Sequence, residues 1–435
     1  MNMTHDKREY FRIQGGQPLS GTVSIQGNKN EAMPVMAAAC LTDEPVELCN
    51  LPDIEDVRQM RQIVGEIGVS VEYTRSDRSC MQIQATDIRV THLPTAISSK
   101  LRGSILLAGP LLARCGHVFL PRPGGDRIGR RRMDTHVLAL QALGAEVELL
   151  PHGIDLRAKK LIGADIMLDE PSVTGTENAV CAAVLAQGTT ILRNAAAEPH
   201  VQGLCRLLVA MGARIEGIGS NVLRIEGVDR LCGAKHTVSP DYLEAGSFIS
   251  LAAVTGGEIR IQKPGLENLR MIRMIFRRLG IETTEEGEDL LVLKNQSMKI
   301  VNDLGGAIPK IDDAPWPAFP ADMTSVALVT ATQCKGTILI HEKMFESRLY
   351  FTDHLIGMGA RIVLCDPHRA VVTGPEKLYG AQLISPDVRA GMALLIAALC
   401  AQGTSEIQNI VQIDRGFTNI DTRLQKLGAQ IERCS

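Results

Sequence analysis

The chain has 435 residues, of which 45 % are hydrophobic and 22 % charged, a balance that excludes disordered, collagen-like and coiled-coil chains. Its 46 Lys and Arg against 49 Asp and Glu leave a net charge of −3, which excludes a general nucleic-acid binder. One Trp, five Tyr and eight Phe are too few rings for a stacking platform, so the core must be packed from Ala, Val, Ile, Leu and Met.

The opening MNMTHDKREYF is polar and charged and does not read as a signal peptide. No apolar run approaches the ~20 residues of a bilayer span. The 11 cysteines form no CxxC pair, and several, such as Cys40, Cys181 and Cys400, sit in apolar runs. Buried reduced thiols, a cytoplasmic location and no metal site are the expectation.

In Gly27-Asn-Lys-Asn-Glu-Ala-Met-Pro34 a lysine, Lys29, stands at the start of an apolar helix beginning near Ala32. A helix N-terminus offers free N–H groups and partial positive charge, so an anion fits there; a solvated surface lysine is the alternative. Between Pro121 and Asp134 lie Gly124, Gly125 and Gly129 with Arg122, Arg127, Arg130, Arg131 and Arg132, and Asp126 among them. That composition suits phosphate or carboxylate, and a loop of this length before a helix (Asp134 to Leu143) is a candidate lid. A solvated basic loop is the competing reading. The stretch Asp312 to Asp322 has proline at 315, 317 and 320 and the single Trp316. Asp322 is then either a general base on a stiff connection or the N-cap of the next helix. Asp387-Val-Arg389 and Asp414-Arg-Gly416 read locally as caps or ion pairs. There is no GxSxG elbow, no Walker A and no GxGxxG after a strand.

Six segments along the chain look alike, with glycines at Gly68, Gly144, Gly212, Gly280, Gly359 and Gly428. The spacing of about 72 residues marks internal duplication. In each, a helix-like stretch ends at Leu/Met/Ile-Gly, where glycine takes the left-handed cap at least cost, and an alternating run follows as a strand. A second signature begins at Asn178, Ala245, Thr324 and Ala390, with looser copies near Ala32 and Ser104. It reads as a small-residue helix, apolar nearly all round and therefore buried, then a Gly turn and a strand. Two bodies of three repeats each, helices inside and sheets outside, satisfy this pattern.

Together the six repeats, GNKN, PGGDxIGxR, AFPADM, PDVRA and IDRG resemble the UDP-N-acetylglucosamine enolpyruvyl transferase (1-carboxyvinyltransferase) family, from Phe11 to Glu432. The sister shikimate-3-phosphate family has KS in place of KN and a GNxGTxxR motif that this chain lacks. The resemblance implies a two-domain inside-out α/β barrel, with one domain at 29–239 and the other at 1–28 plus 240–435, and substrates bound in the cleft where they meet. It implies transfer of the enolpyruvyl group of phosphoenolpyruvate to the 3′-OH of UDP-N-acetylglucosamine, without a cofactor, nucleic acid or membrane partner, by a monomer.

Matching residue by residue, Lys29, Arg131 and Arg415 correspond to phosphoenolpyruvate-binding cations. Asp126 stands at the position of the acid that protonates C3, and Asp322 at that of the base for the sugar hydroxyl. Asn30, Arg102, Arg131, Arg132, Met133, Asp134, Thr135, Ser172, Val173 and Met344 match nucleotide-sugar contacts. Asp387 and Arg389 match a site-lining pair. Two departures stand out. The family commonly has Cys where this chain has Asp126, which removes the thiolate that fosfomycin alkylates, so resistance to that epoxide is expected. Arg132-Met133 replaces a usual Pro-Val and adds a charge beside the nucleotide, and Glu170 stands where some members have Lys. These changes leave open a different nucleotide acceptor, or a non-catalytic paralogue that binds UDP-N-acetylglucosamine.

Overall fold

The computed structural model describes residues 9–125 and 128–435. These divide into two compact units, one of residues 9–25, 128–130 and 240–435, the other of 26–125 and 131–239. Each contains three sheets. Five of the six sheets have four strands and one has three.

Every small-residue signature becomes a core helix. In the first unit these are Tyr242–Thr255, Thr324–Thr332 and Val388–Cys400, which pack on one another. In the second they are Lys29–Ala38, Ala108–Cys115 and Val173–Ala183, and the 3₁₀ turn Arg102–Leu107 touches all three. Every residue from Thr324 to Thr332 is buried. A helix with no polar face has nowhere else to go, and its small side chains let neighbouring backbones approach. The first helix starts at Lys29, earlier than the expected Ala32, because Asn28 caps it by accepting from the N–H groups of Asn30 and Glu31.

After five of the six core helices comes a strand in a central position of its sheet; after Ala108–Cys115 the strand His117–Pro121 lies at the edge of the three-stranded sheet. Gly336–His341 runs parallel to Lys310–Asp312 and antiparallel to Arg369–Gly374, with Ile338 and Ile340 fully buried. The same alternation elsewhere puts one sheet face on the helices and the other in water. The chain's early strands belong to the first unit: Tyr10–Gln14 pairs with Thr404–Gln408 and Gln430–Cys434, and Gly21–Ser24 with Ile259–Gln262. The six repeat glycines all have positive φ, between 80° and 107°, which other residues resist. The strands follow them, although after Gly280 the strand is delayed to Thr284–Glu286.

One polar side chain ties the second core together. Asn178 accepts from Gly109 N–H at 2.7 Å and donates to the Ile105 carbonyl and to His136 Nδ1, both at 2.9 Å. Since Nδ1 accepts, the His136 proton sits on Nε2 and points to Thr174 Oγ1 at 3.1 Å. Burial, with Arg102 adding to it, lowers the His136 pKa to about 3, so the ring is neutral. The two helices approach closely here: a Cβ on Gly109 would lie 2.4 Å from the Asn178 carbonyl oxygen.

The cysteines differ in part from expectation. Cys40 and Cys181 are buried thiols and Cys400 is half-buried, but Cys49 and Cys80 are joined by a disulfide. Val46–Cys49 pairs antiparallel with Met81–Gln84 in a register that sets Cys49 directly opposite Cys80, with Cα atoms 4.1 Å apart. Cross-strand neighbours 31 residues apart are invisible without the register. Among the described residues no helix is long and apolar enough to cross a membrane.

Asn178→Ala strands the Gly109 N–H and His136 Nδ1 in the core. At roughly 1–3 kcal/mol for each buried group left unpaired, the urea unfolding midpoint falls clearly below that of the parent; an unchanged midpoint counts against the tie.

Candidate active site

In the first unit the site grows from Pro315–Asp322. The prolines stiffen the stretch, Phe319 is sunk in the core, and Trp316 sets its edge against Tyr242. Pro320 delivers the chain into the 3₁₀ turn Ala321–Met323, which runs on into the Thr324–Thr332 helix. Asp322 is therefore in the turn, and its carboxylate caps nothing. It is held by two buried guanidiniums instead: Arg348 Nη2 reaches Oδ1 and Arg389 Nε reaches Oδ2, each at 3.0 Å. The side chains of Arg348 and Arg389 are 3 % and 8 % exposed, that of Asp322 27 %.

Asp387 is the N-cap of the Val388–Cys400 helix, accepting from the N–H groups of Arg389 and Ala390. Asp241 caps the Tyr242–Thr255 helix in the same way. Burial raises the Asp241 pKa to about 6, with Arg389 opposing and Glu244 adding. For Arg389, burial pushes the pKa down, but Asp322 and Asp241 outweigh it. Arg348 behaves alike: burial is exceeded by Asp322, Glu342 and Asp387. The Phe345 ring covers the Arg348 guanidinium at 4.9 Å. Met344, 39 % exposed, donates its N–H to Asp313. Arg415 donates to Gln412 Oε1 at 2.8 Å, and neighbouring Asp414 is paired with Arg433.

In the second unit Lys29 opens its helix, and its Nζ lies 3.0 Å from Asp56 Oδ2, both largely buried. Asn30 is the next residue, its N–H taken by the Asn28 cap. Arg102 donates to the carbonyls of Arg131 and Arg132. Burial and the charge of Arg131 lower its pKa to about 10. Arg132 is different. It bridges Asp134 and Asp169, so the added charge expected beside the nucleotide is offset within the chain. Thr135 donates to Asp169 and also lies near Glu170. Met133 packs against the core just before the Asp134–Ala142 helix. Ser172 caps the helix that begins with Val173.

The expected acid, Asp126, lies outside the described residues, as does Arg127. Just beyond them, Arg130 N–H reaches Glu346 Oε2 at 3.1 Å and Ser347 N–H reaches the Ile128 carbonyl. Sequence reasoning found Asp322, Asp387 and Arg389, and missed Arg348, Glu342, Asp241 and Asp56. Arg348 sits in a plain Phe-Glu-Ser-Arg-Leu run with no local mark of its role. Asp241, in Ser-Pro-Asp ahead of a small-residue helix, had the form of a cap signal.

A family model described as EPSP synthase (3-phosphoshikimate 1-carboxyvinyltransferase) matches residues 13–424. Among curated proteins, the UDP-N-acetylglucosamine 1-carboxyvinyltransferase of Bradyrhizobium diazoefficiens is 56 % identical over 97 % of both chains. That of Treponema denticola is 55 % identical over 98 % of this chain and 99 % of its own. The chain belongs to the UDP-N-acetylglucosamine 1-carboxyvinyltransferase family. Solved enolpyruvyl transferases share the fold: NikO from Streptomyces tendae superposes with a TM-score of 0.87 at 23 % identity, covering 98 % of this chain and 99 % of its own. An EPSP synthase from Acinetobacter baumannii superposes with 0.75 at 16 %, covering 99 % and 100 %. The repeated helix-and-sheet architecture read from the sequence is the inside-out α/β barrel of this family.

Removing the Asp322 carboxylate leaves two buried guanidiniums facing each other. Asp322→Ala is expected to lower stability by up to about 3 kcal/mol, the low end for breaking a buried pair, because Asp322 itself is partly exposed. Asp322→Ala/Arg348→Met recovers part of that loss in chemical denaturation; strict additivity of the two changes contradicts the coupling.

Proposed function

We propose that this chain transfers the enolpyruvyl group of phosphoenolpyruvate to the 3′-OH of UDP-N-acetylglucosamine with release of phosphate, the first committed step toward the peptidoglycan precursor, and that it does so as a cytoplasmic monomer. The observation that carries the reading is the full-length identity of 56 % and 55 % to relatives bearing that activity's name.

The chemistry assigns each group a task. Phosphoenolpyruvate brings a phosphate and a carboxylate, and Lys29, Arg131 and Arg415 supply fixed positive charge for them. The 3′-oxygen forms a bond to C2 as Asp322 takes its proton and Asp126 gives one to C3. In the second half a proton leaves C3, the C2–O bond to phosphate breaks and the double bond returns. Arg348 and Arg389, each on one oxygen of Asp322, aim that carboxylate; near-attack geometry of this kind is a large part of a catalytic effect. Asn30, Arg102, Arg132 to Thr135, Ser172, Val173 and Met344 are assigned to the nucleotide sugar, and Asp387 and Arg389 to the lining beside Asp322. Because Arg132 is already paired with Asp134 and Asp169, it gives no reason to prefer another acceptor.

Phosphate release from phosphoenolpyruvate is expected with UDP-N-acetylglucosamine and not with other nucleotides or nucleotide sugars in a panel; a faster acceptor in that panel overturns the assignment. Asp126→Asn abolishes turnover while calorimetry finds nucleotide-sugar affinity within a few-fold of the parent. Near-normal turnover in that variant removes Asp126 as the acid. Lys29→Ala and Arg415→Ala each raise KM for phosphoenolpyruvate at least about tenfold, the cost of one charge-assisted contact. Fosfomycin gives no time-dependent, irreversible loss of activity, since Asp126 offers no thiolate.

A further inference from the structure

Behind Asp322 lies a carboxylate that no step of this reaction uses. Glu342 follows the strand Gly336–His341 and is 0 % exposed. Its backbone is fixed, with the N–H on the His368 carbonyl and its own carbonyl facing His368 Nδ1 at 2.7 Å. Its side chain is held more loosely: neither Oε1 nor Oε2, nor Arg348 Nε at 3.8 Å from Oε2, makes a well-formed hydrogen bond, although the Asp313 carboxylate and the Thr324 hydroxyl act on Glu342. The other side of the same guanidinium, Nη2, is on Asp322 at 3.0 Å. Two carboxylates thus face one guanidinium, and only Asp322 holds it at hydrogen-bond distance.

We infer that Glu342 is a positioning residue for the Asp322 carboxylate: it competes with Asp322 for Arg348, and the outcome decides how Asp322 is held. This rests on Asp322 acting as the base. The groups that face Glu342 set the balance. Arg348 lies on one side. Asp313, at the end of the Lys310–Asp312 strand, adds negative charge, although its own oxygens take the N–H groups of Lys343 and Met344. The Thr324 hydroxyl, at the start of the Thr324–Thr332 helix, favours the ionised form. Asp387 and Arg389 act on Arg348 itself, the first favouring its charge and the second opposing it. Burial raises the Glu342 pKa to about 8, with Arg348 opposing and Asp313 adding. At neutral pH the group is mostly protonated and leaves Arg348 to Asp322. Once ionised, it draws Arg348 Nε toward the ~2.8 Å of a charge-assisted bond, a movement of about 1 Å that takes Nη2 off Asp322. Misplacement on that scale is enough to cost about a hundredfold in rate.

The sign follows. As pH rises through about 8, Glu342 ionises, Asp322 loses one of its two guanidinium anchors and kcat falls. Profiles of kcat and KM against pH for the parent, Glu342→Gln and Glu342→Asp test this. In Glu342→Gln the alkaline limb of kcat is lost or moves up by roughly one pH unit, and Glu342→Asp restores a limb. KM for both substrates moves by less than about twofold. An alkaline limb unchanged in Glu342→Gln overturns the inference. A second measurement needs no turnover: the infrared band of a buried protonated carboxyl, present at pH 7 and lost on raising the pH. In Asp322→Asn, where Arg348 is left to Glu342, that band disappears at lower pH by reciprocal linkage; an unchanged titration also overturns the competition. A parent enzyme that releases no phosphate from the two substrates refutes the proposed function, whereas the infrared titration judges the competition by itself.

Discussion

The arrangement on which the first unit depends is one carboxylate shared by two buried guanidiniums. Taking Arg348 and Arg389 out of water costs several kcal/mol for each charge, and Asp322 alone does not offset that. The rest of the neighbourhood adds to the compensation: Asp241 favours the charge of Arg389, and Asp387 that of Arg348. A buried ion cluster is weak evidence for stability, since apolar side chains of similar volume often do as well. What the cluster provides that apolar packing cannot is an oriented carboxylate whose two oxygens are each fixed from a different element. Under the proposed function, that orientation is the reason for the charges.

The duplicated scaffold explains where such groups arise. Four of the six core helices begin with a side-chain cap, from Asn28, Ser172, Asp241 and Asp387. The other two, Ala108–Cys115 and Thr324–Thr332, have none and instead run on from 3₁₀ turns, Arg102–Leu107 and Ala321–Met323. A preceding turn satisfies helix N–H groups without a capping side chain. In the first unit it thereby leaves the Asp322 carboxylate to the guanidiniums of Arg348 and Arg389. Helix starts in this fold are thus of two kinds, capped and turned.

The repeat was legible in the sequence because its signals are local. A glycine forced to positive φ, an alternating run and a small-residue helix each lie within a dozen residues. The cap at Asp387 was legible for the same reason, as one of its two local readings. Asp322 was ambiguous, because the residue before a helix looks alike whether its oxygens turn inward to cap or outward to a partner. The partners that decide it are 26 and 67 residues away, at distances where no pattern in the chain speaks. Arg348 was overlooked on the same account, and so was the Cys49–Cys80 pairing. The charge of Arg132 was legible, but Asp169, which offsets it, lies 37 residues on.

The two cations of the second unit illustrate how context rather than residue type sets what a charge can do. Lys29 has helix-terminal N–H groups behind it but a carboxylate, Asp56, 3.0 Å away, so an incoming anion must share it. Arg102 has only main-chain carbonyls on its Nη2 and a second guanidinium nearby. Each such carbonyl is a weaker partner than a carboxylate, and the Arg131 charge is repulsive. An anion placed against Arg102 converts that repulsion into a shared attraction and reverses the downward push on its pKa, whereas the same anion at Lys29 gains only what Asp56 leaves. Under the proposed function the metabolite's anionic groups therefore meet unlike settings, Lys29 already shared with Asp56 and Arg131 beside the like charge of Arg102.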